Sequence, residues 1–206
     1  SGVDTVFVTD SSVDADTGVA LNDLELALEG VGGTDIEFTV TDTAGAVASE
    51  LSATGDELDA ANDVNVVGGT IDVAAADAVQ DITRYDAAAS DYDITDNAAT
   101  LLSTTGVDTV VDSGVDTVFV TDSSVDAATG AELNDLELAL EGVGGTDIEF
   151  TVTDSAGAVA SELSAMSGDE LNEANDVNVV GGTIDVAVAD AVQNITAYDA
   201  VDSAYV

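Results

Sequence analysis

The chain has 206 residues, 43 of them acidic against one basic residue, Arg84, and no histidine, for a formal net charge of −42. Without a basic face it has nothing to set against a phosphate backbone or an anionic membrane, so nucleic acid and anionic lipid are excluded and cations are its natural partners. The lack of cysteine and histidine removes disulfides, thiolate metal sites, thiol nucleophiles and any Ser-His-Asp triad.

So high a charge with 4% aromatic residues ordinarily signals disorder. Here 46% of the residues are hydrophobic and mean hydropathy is +0.26. Val, Ile and Leu recur in short alternating runs, enough to build a core. No apolar run approaches the roughly 20 residues that span a bilayer, so no transmembrane segment is expected. No signal-like segment precedes Ser1, and the chain reads as a processed product or an excerpt. With Arg84 alone open to a trypsin-like protease, it suits an exposed extracellular life, although a saline cell interior favours acidic surfaces too.

In chain order, the first run is Val6-Phe7-Val8, β-branched and alternating, which predicts a strand. LNDLELALEGVGGTDIEFTV, from Leu21, fits a helix or a hairpin; Leu24, Leu26 and Leu28 alternating before a Gly-rich turn favour the hairpin. Phe38-Thr39-Val40-Thr41 predicts a second strand. After it, Ala44, Val47, Ala48 and Leu51 fall on one helical face, with Asp42 placed as N-cap. DVNVVGGTIDV, from Asp63, predicts another strand. The helical spacing returns after Asp72 with Ala75, Ala78, Val79 and Ile82, and again with Val188, Ala191, Val192 and Ile195. SDYDITD, from Ser90, predicts the last strand of the series.

Residues 1–53 recur at 113–165, and GDELDAANDVNVVGGTIDVA at 55–74 returns as GDELNEANDVNVVGGTIDVA at 168–187 after one inserted residue. The chain thus divides into a full period, 1–112, with subunits at about 2–35, 36–63, 64–90 and 91–112, and an incomplete second, 113–206. Units of this size that bury a face against their neighbours point to a repeat architecture. The expected fold is an α+β repeat protein, an elongated β-rich solenoid of strand-led units and short Asp-capped helices; the alternative is a string of tandem β-sandwich-like domains.

The motif V-T-D-T/S/N-A recurs as VTDTAGAV at 40–47, ITDNAATL at 94–101 and VTDSAGAV at 152–159. In a chain so rich in Thr, Val, Ala and Asp, it resembles giant tandem-repeat bacterial surface and secreted proteins, such as large adhesins and surface-layer-like or filament proteins. That resemblance implies an extracellular or cell-surface location, a part in attachment, and frequent dependence on calcium. GVGGTD and VVGGTID do not follow the G-x-G-x-D repeat of calcium-binding RTX nonapeptides.

Calcium is the one cofactor the composition suggests, because hard cations take carboxylate and carbonyl oxygens. The best cluster is DSSVDADTG, with Asp10, Asp14 and Asp16; its second copy keeps Asp122 and Asp126 but has Ala128 in place of Asp16. A solvated acidic loop with diffuse counterions is the plainer reading. Asp42, Asp96 and Asp154 read as helix caps rather than metal ligands. Tyr85, Tyr92, Tyr198 and Tyr205 recur at matching places and read as packing. Asn194-Ile195-Thr196 is a glycosylation sequon absent from the first copy, which has Asp81 there. With 43 carboxylates, a pair spaced for glycoside hydrolysis carries no information. The expectation is a non-enzymatic structural or adhesive protein that forms a rod or filament by self-association or continues a longer array. The alternatives are a calcium-dependent binding module and a soluble protein of a halophile.

Overall fold

A helix needs a cap and a strand needs a partner, and this chain supplies both at fixed intervals. The computed structural model describes residues 6, 8–30, 36–54, 58, 60–165 and 171–205. It falls into two compact units, residues 1–94 with 112–116 and residues 95–111 with 117–206.

In the first unit, Asp14 accepts the Thr17 N–H at 2.9 Å and opens helix α1 (Ala15–Glu29). The chain continues through β1 (Thr39–Asp42), α2 (Ala44–Thr54), β2 (Asp63–Ile71), α3 (Val73–Gln80), a 3-10 turn (Ala87–Ala89) and the start of β3 (Asp91–Asp96). Strands β1 and β2 run parallel from Thr39↔Asp63 to Asp42↔Val66, and Val13 bridges to Val40 on the other side. β2 then pairs with β3, from Val67↔Asp91 to Ile71↔Ile94, across a bulge at Gly68 and Gly69. Both glycines have positive φ, 70° and 92°, which a side chain rarely tolerates. Where the ladder changes partner, the Ser90 hydroxyl accepts the Val66 N–H at 3.0 Å. Val40, Val64, Val66, Tyr92 and Ile94 bury their side chains with Ala44 and Val47 of α2 and Ala76 and Val79 of α3.

The second unit contains α4 (Ala98–Leu101), α5 (Thr104–Val110), most of β4 (Val115–Val120), α6 (Ala127–Val143), β5 (Asp147–Glu149), β6 (Thr151–Asp154), α7 (Ala156–Ala165), β7 (Asp176–Val179) and α8 (Val186–Gln193). From α6 onward it reproduces the first unit: Asp126 caps α6 through Thr129 N–H at 2.8 Å, Val125 bridges to Val152, and β6 and β7 pair in parallel. Gly130, like Gly18 of α1, lies against a strand. A Cβ there would come within 2.6 Å of Val152 Cγ2, so helix and strand approach more closely than alanine allows.

The strand at Val6-Phe7-Val8 lies partly outside the described residues, since Phe7 is not among them; its repeat, Val118-Phe119-Val120, lies in β4. The segment from Leu21 is a helix and not a hairpin. A buried face at helical spacing, filled in α6 by Gly130, Leu133, Asn134, Glu137 and Leu140, overrides the local alternation of leucines.

The class of the fold differs from expectation as well. In the first unit β1, β2 and β3 pair in sequence order, in the second β4 pairs with β5 and β6 with β7, and the registers described are all parallel. Partners such as Thr39 and Asp63, or Thr117 and Asp147, lie 24 and 30 residues apart. Tight turns cannot join parallel neighbours, and helices fill the crossovers instead, up to the 17 residues of α6. The result is an α/β fold, a parallel sheet flanked by helices with Rossmann-like alternation. It is neither an elongated β-rich solenoid nor a tandem of β-sandwiches, whose sheets rest on antiparallel pairs.

The aspartates of the recurring Thr-Asp motif are not the N-caps of the helices that follow them. Asp42, Asp96 and Asp154 each end a strand, and the residue after each one caps the following helix: Thr43 accepts from Ala46 N–H, Asn97 from Thr100 N–H and Ser155 from Ala158 N–H. Two of these aspartates reach back to an earlier helix. Asp42 Oδ2 accepts the Ala15 N–H at the start of α1 (3.0 Å), and Asp154 Oδ2 accepts the Ala127 N–H at the start of α6 (3.1 Å). Asp122, which follows β4, does the same for Ala98 of α4 at 2.7 Å. Each carboxylate locks a strand end to the N-terminus of a helix some 24 to 27 residues earlier. Asp154→Ala strips an acceptor from both Ala127 N–H and Ser155 N–H. It should cost about 1–3 kcal/mol in denaturant unfolding, while Asp135→Ala, exposed on α6 and removing the same charge, should cost under about 0.5 kcal/mol.

Candidate functional site

The five aspartates proposed for calcium do not share one role. Asp14 and Asp126 are the N-caps of α1 and α6, and hydrogen bonds from Thr17 and Thr129 hold both carboxyls below the ordinary carboxylate range. Asp122 is occupied by Ala98 N–H. Asp16 stands exposed in the first turn of α1, and Asp10 is exposed on the bend ahead of Val13. Among the described residues, no group of three or more acidic side chains is arranged to hold a metal ion. The capping that residue spacing made ambiguous is resolved by geometry, because a carboxylate bound to a helix N-terminus is already stabilised by N–H groups and the helix dipole.

The tyrosines form a network in the first unit. Gln80 Nε2 donates to the Tyr92 hydroxyl at 2.7 Å, the two tyrosine hydroxyls are hydrogen-bonded, and Tyr85 donates to Asp112 Oδ1 at 3.0 Å. Asp112 Oδ1 also accepts the Gly114 N–H at 3.0 Å. Burial pushes both phenols up, Tyr85 the further because Tyr92 and Asp112 lie beside it, so neither supplies a base near neutral pH. Gly114 packs directly on the Tyr85 hydroxyl, leaving no room for a side chain. The second unit repeats the start of the chain of contacts, with Gln193 Nε2 donating to the Tyr205 hydroxyl at 2.8 Å. Tyr92 is a packing residue with a polar tip, while Tyr198 and Tyr205 are half-buried.

Two equivalent grooves open between paired helices. One, about 460 Å³, lies between α2 and α3 and is lined by residues such as Ala48, Ser52, Ala74 and Ala78. Its counterpart between α7 and α8, about 250 Å³, is lined by Ala160, Leu163, Ser164 and Ala191, with one carboxylate, Asp185, which caps α8 through Val188 N–H at 2.9 Å. Small apolar side chains line both, without a pair of groups suited to acid–base chemistry. Asn194 of the sequon is exposed just after α8.

Among the described residues, the most perturbed carboxyl was not signalled by the sequence. Glu137 of α6 is 1% exposed; it accepts the Ile148 N–H, and its Oε2 has no hydrogen-bond partner. Burial, reinforced by repulsion from Glu173, Asp147 and Glu141, pushes it up to about 7 from an ordinary 4.5. Its counterpart Glu25 accepts the Ile36 N–H at 3.1 Å but is less buried. Only the depth of burial separates these two residues of one motif, and depth is set by what packs on the helix. The charged neighbours that raise Glu137 are all carboxylates, Glu173, Asp147 and Glu141.

No family model matches the chain, and no similarity to a curated protein or to a solved structure was found.

Because the folded state holds the Glu137 proton more tightly than the unfolded chain, this residue's contribution to stability is full below about pH 4.5 and is lost as pH rises through about 7. Glu137→Gln mimics the protonated form. It should unfold at a higher urea concentration than the parent at pH 8, by about 1 kcal/mol or more, and the gap should close at pH 5. A gap of equal size at both pH values would refute the assignment.

Proposed function

We propose that this chain is a structural or adhesive repeat protein that acts outside a bacterial cell, its units adding length to a continuing array or filament rather than performing chemistry. The observation that carries this reading is the recurrence of one packing scheme with the same partners: Asp42 with Ala15 and Asp154 with Ala127, Val13 with Val40 and Val125 with Val152. The Ser90 hydroxyl on Val66 likewise returns as Ser203 on Val179, at 2.9 Å. Duplication that preserves packing contacts makes more of the same surface, whereas duplicated catalytic sites would preserve a reactive constellation. The carboxylates with ordered partners serve as caps and locks, which supports scaffolding over catalysis. The location follows from the resemblance of the Val-Thr-Asp motif to surface and secreted repeat proteins and from the single site, Arg84, for a trypsin-like protease.

Cations are the partners this surface calls for, as a screening atmosphere that keeps like charges from opening the fold. Electron microscopy of the native material should show filaments or chains of regularly spaced units; a discrete particle of one chain's mass would overturn the structural reading. In parallel melts, sodium chloride should raise the melting temperature as much as calcium at matched ionic strength. An added gain from millimolar calcium would instead favour a calcium-dependent binding module.

A further inference from the structure

Helices α1 and α6 carry nearly the same sequence, ADTGVALNDLELALE at 15–29 and AATGAELNDLELALE at 127–141, yet they are covered differently. Leu136 is 4% exposed and Leu133 fully buried in α6, while in α1 Leu24 is 42% exposed and Leu21 half-buried. Val19 is half-buried where Ala131 is buried, and Glu25 is half-buried where Glu137 is buried. The outward leucines serve as an internal control. Leu26 and Leu138 are 58% and 54% exposed, so among the residues the two helices share the difference falls on the face of Leu21, Leu24 and Glu25.

The second unit contains a helix with no counterpart among the described residues of the first. Residues 95–111 belong to that unit, and within it α5 packs against α6. The segment is a tight strand-end and helix corner. Asn97 caps α4, Ser103 caps α5, and Gly106 lies so close to the Thr100 and Leu101 carbonyls that no side chain fits. Gly106, Thr109 and Val110 are the buried positions of α5. Among the described residues of the first unit, no helix takes the place of α5 beside α1.

We propose that the face of α1 formed by Leu21, Leu24 and Glu25 is a docking surface for a further strand-and-helix unit of this repeat, with the sequence of residues 95–112, seated as α5 is seated on α6. The occupant is identified by the interface the chain already makes on the same helix sequence, where α5 packs against α6. The proposal deepens the structural reading above and rests on it for the source of the occupant, a neighbouring stretch of the same repeat.

The test adds an 18-residue copy of Thr95–Asp112 directly ahead of Ser1, reproducing the junction of Asp112 with Ser113, beside a version carrying a scrambled copy of that segment. Hydrogen exchange of the backbone amides from Leu21 to Leu28 should slow at least about tenfold with the native copy and remain unchanged with the scrambled one. Leu24→Ser should perturb the unextended chain far less than Leu136→Ser, and in the extended chain the two losses of stability should become similar. Exchange no slower than with the scrambled copy overturns the docking surface, and so does a Leu24→Ser loss that the extension leaves unchanged. Filaments seen by microscopy alongside unchanged exchange would sink the docking surface alone, and slowed exchange without filaments would sink only the filament.

Discussion

The constraint on which the rest of this structure depends is the shortage of positive charge. With 43 carboxylates and one guanidinium, ion pairing cannot stabilise the acidic side chains, and the backbone N–H groups at helix N-termini take over that role. Asp14, Asp72, Asp126 and Asp185 cap their own helices, while Asp42, Asp122 and Asp154 hold the first N–H of a helix elsewhere in the same unit. Each bond answers two needs at once, an orphan donor and a buried or crowded anion. Arg84 itself is dispensable to the scheme. Its carbonyl accepts the Val64 N–H, and in the second copy Ala197 does the same for Val177.

The same economy explains why the helices and strands alternate. A strand that ends in Asp can lock a helix only if that helix starts beside the strand end, and parallel strands joined by helical crossovers bring those points together. Close packing then follows from small residues at the contacts, with Gly18 against Val40 and Gly130 against Val152. The cost of so acidic a design appears where a carboxyl is buried without enough donors. Glu137 is that place, and it holds its proton to near neutrality instead of ionising among Glu141, Asp147 and Glu173.

A scheme built from contacts that recur at a fixed offset is suited to extension. The locks, the Val13–Val40 type of bridge and the Ser90 type of latch each involve residues within about one strand-and-helix unit, so adding units requires no new kind of contact. This locality underlies the reading of the chain as scaffold. It also makes the covering of α1 and α6 informative, because one sequence shown in two settings separates what the helix is from what lies against it.

Much of the local structure was legible in the residues. The strands at Thr39, Asp63 and Asp91 and the helices after Asp42 and Asp72 follow from β-branched alternation, cap residues and helical spacing, all short-range properties. The Thr-Asp motif was legible only in part, since Asp42 and Thr43 are equally able to cap and the choice turns on whether Ala15 N–H lies within reach. The stretch from Leu21 was misread as a hairpin because its leucines fit two periods, and the tie is broken by a Gly18 contact with Val40 and Leu58, residues far along the chain. By itself, then, the sequence determined the acidic character, the repeat, most strands and helices, and the absence of histidine and cysteine chemistry. Tertiary packing decided the parallel pairing, the α/β class, the destination of each strand-end carboxylate and the burial that sets Glu137 apart from Glu25. The physical reason is that hydrogen-bond reach and desolvation depend on which distant segments meet, and residue order alone does not record those distances.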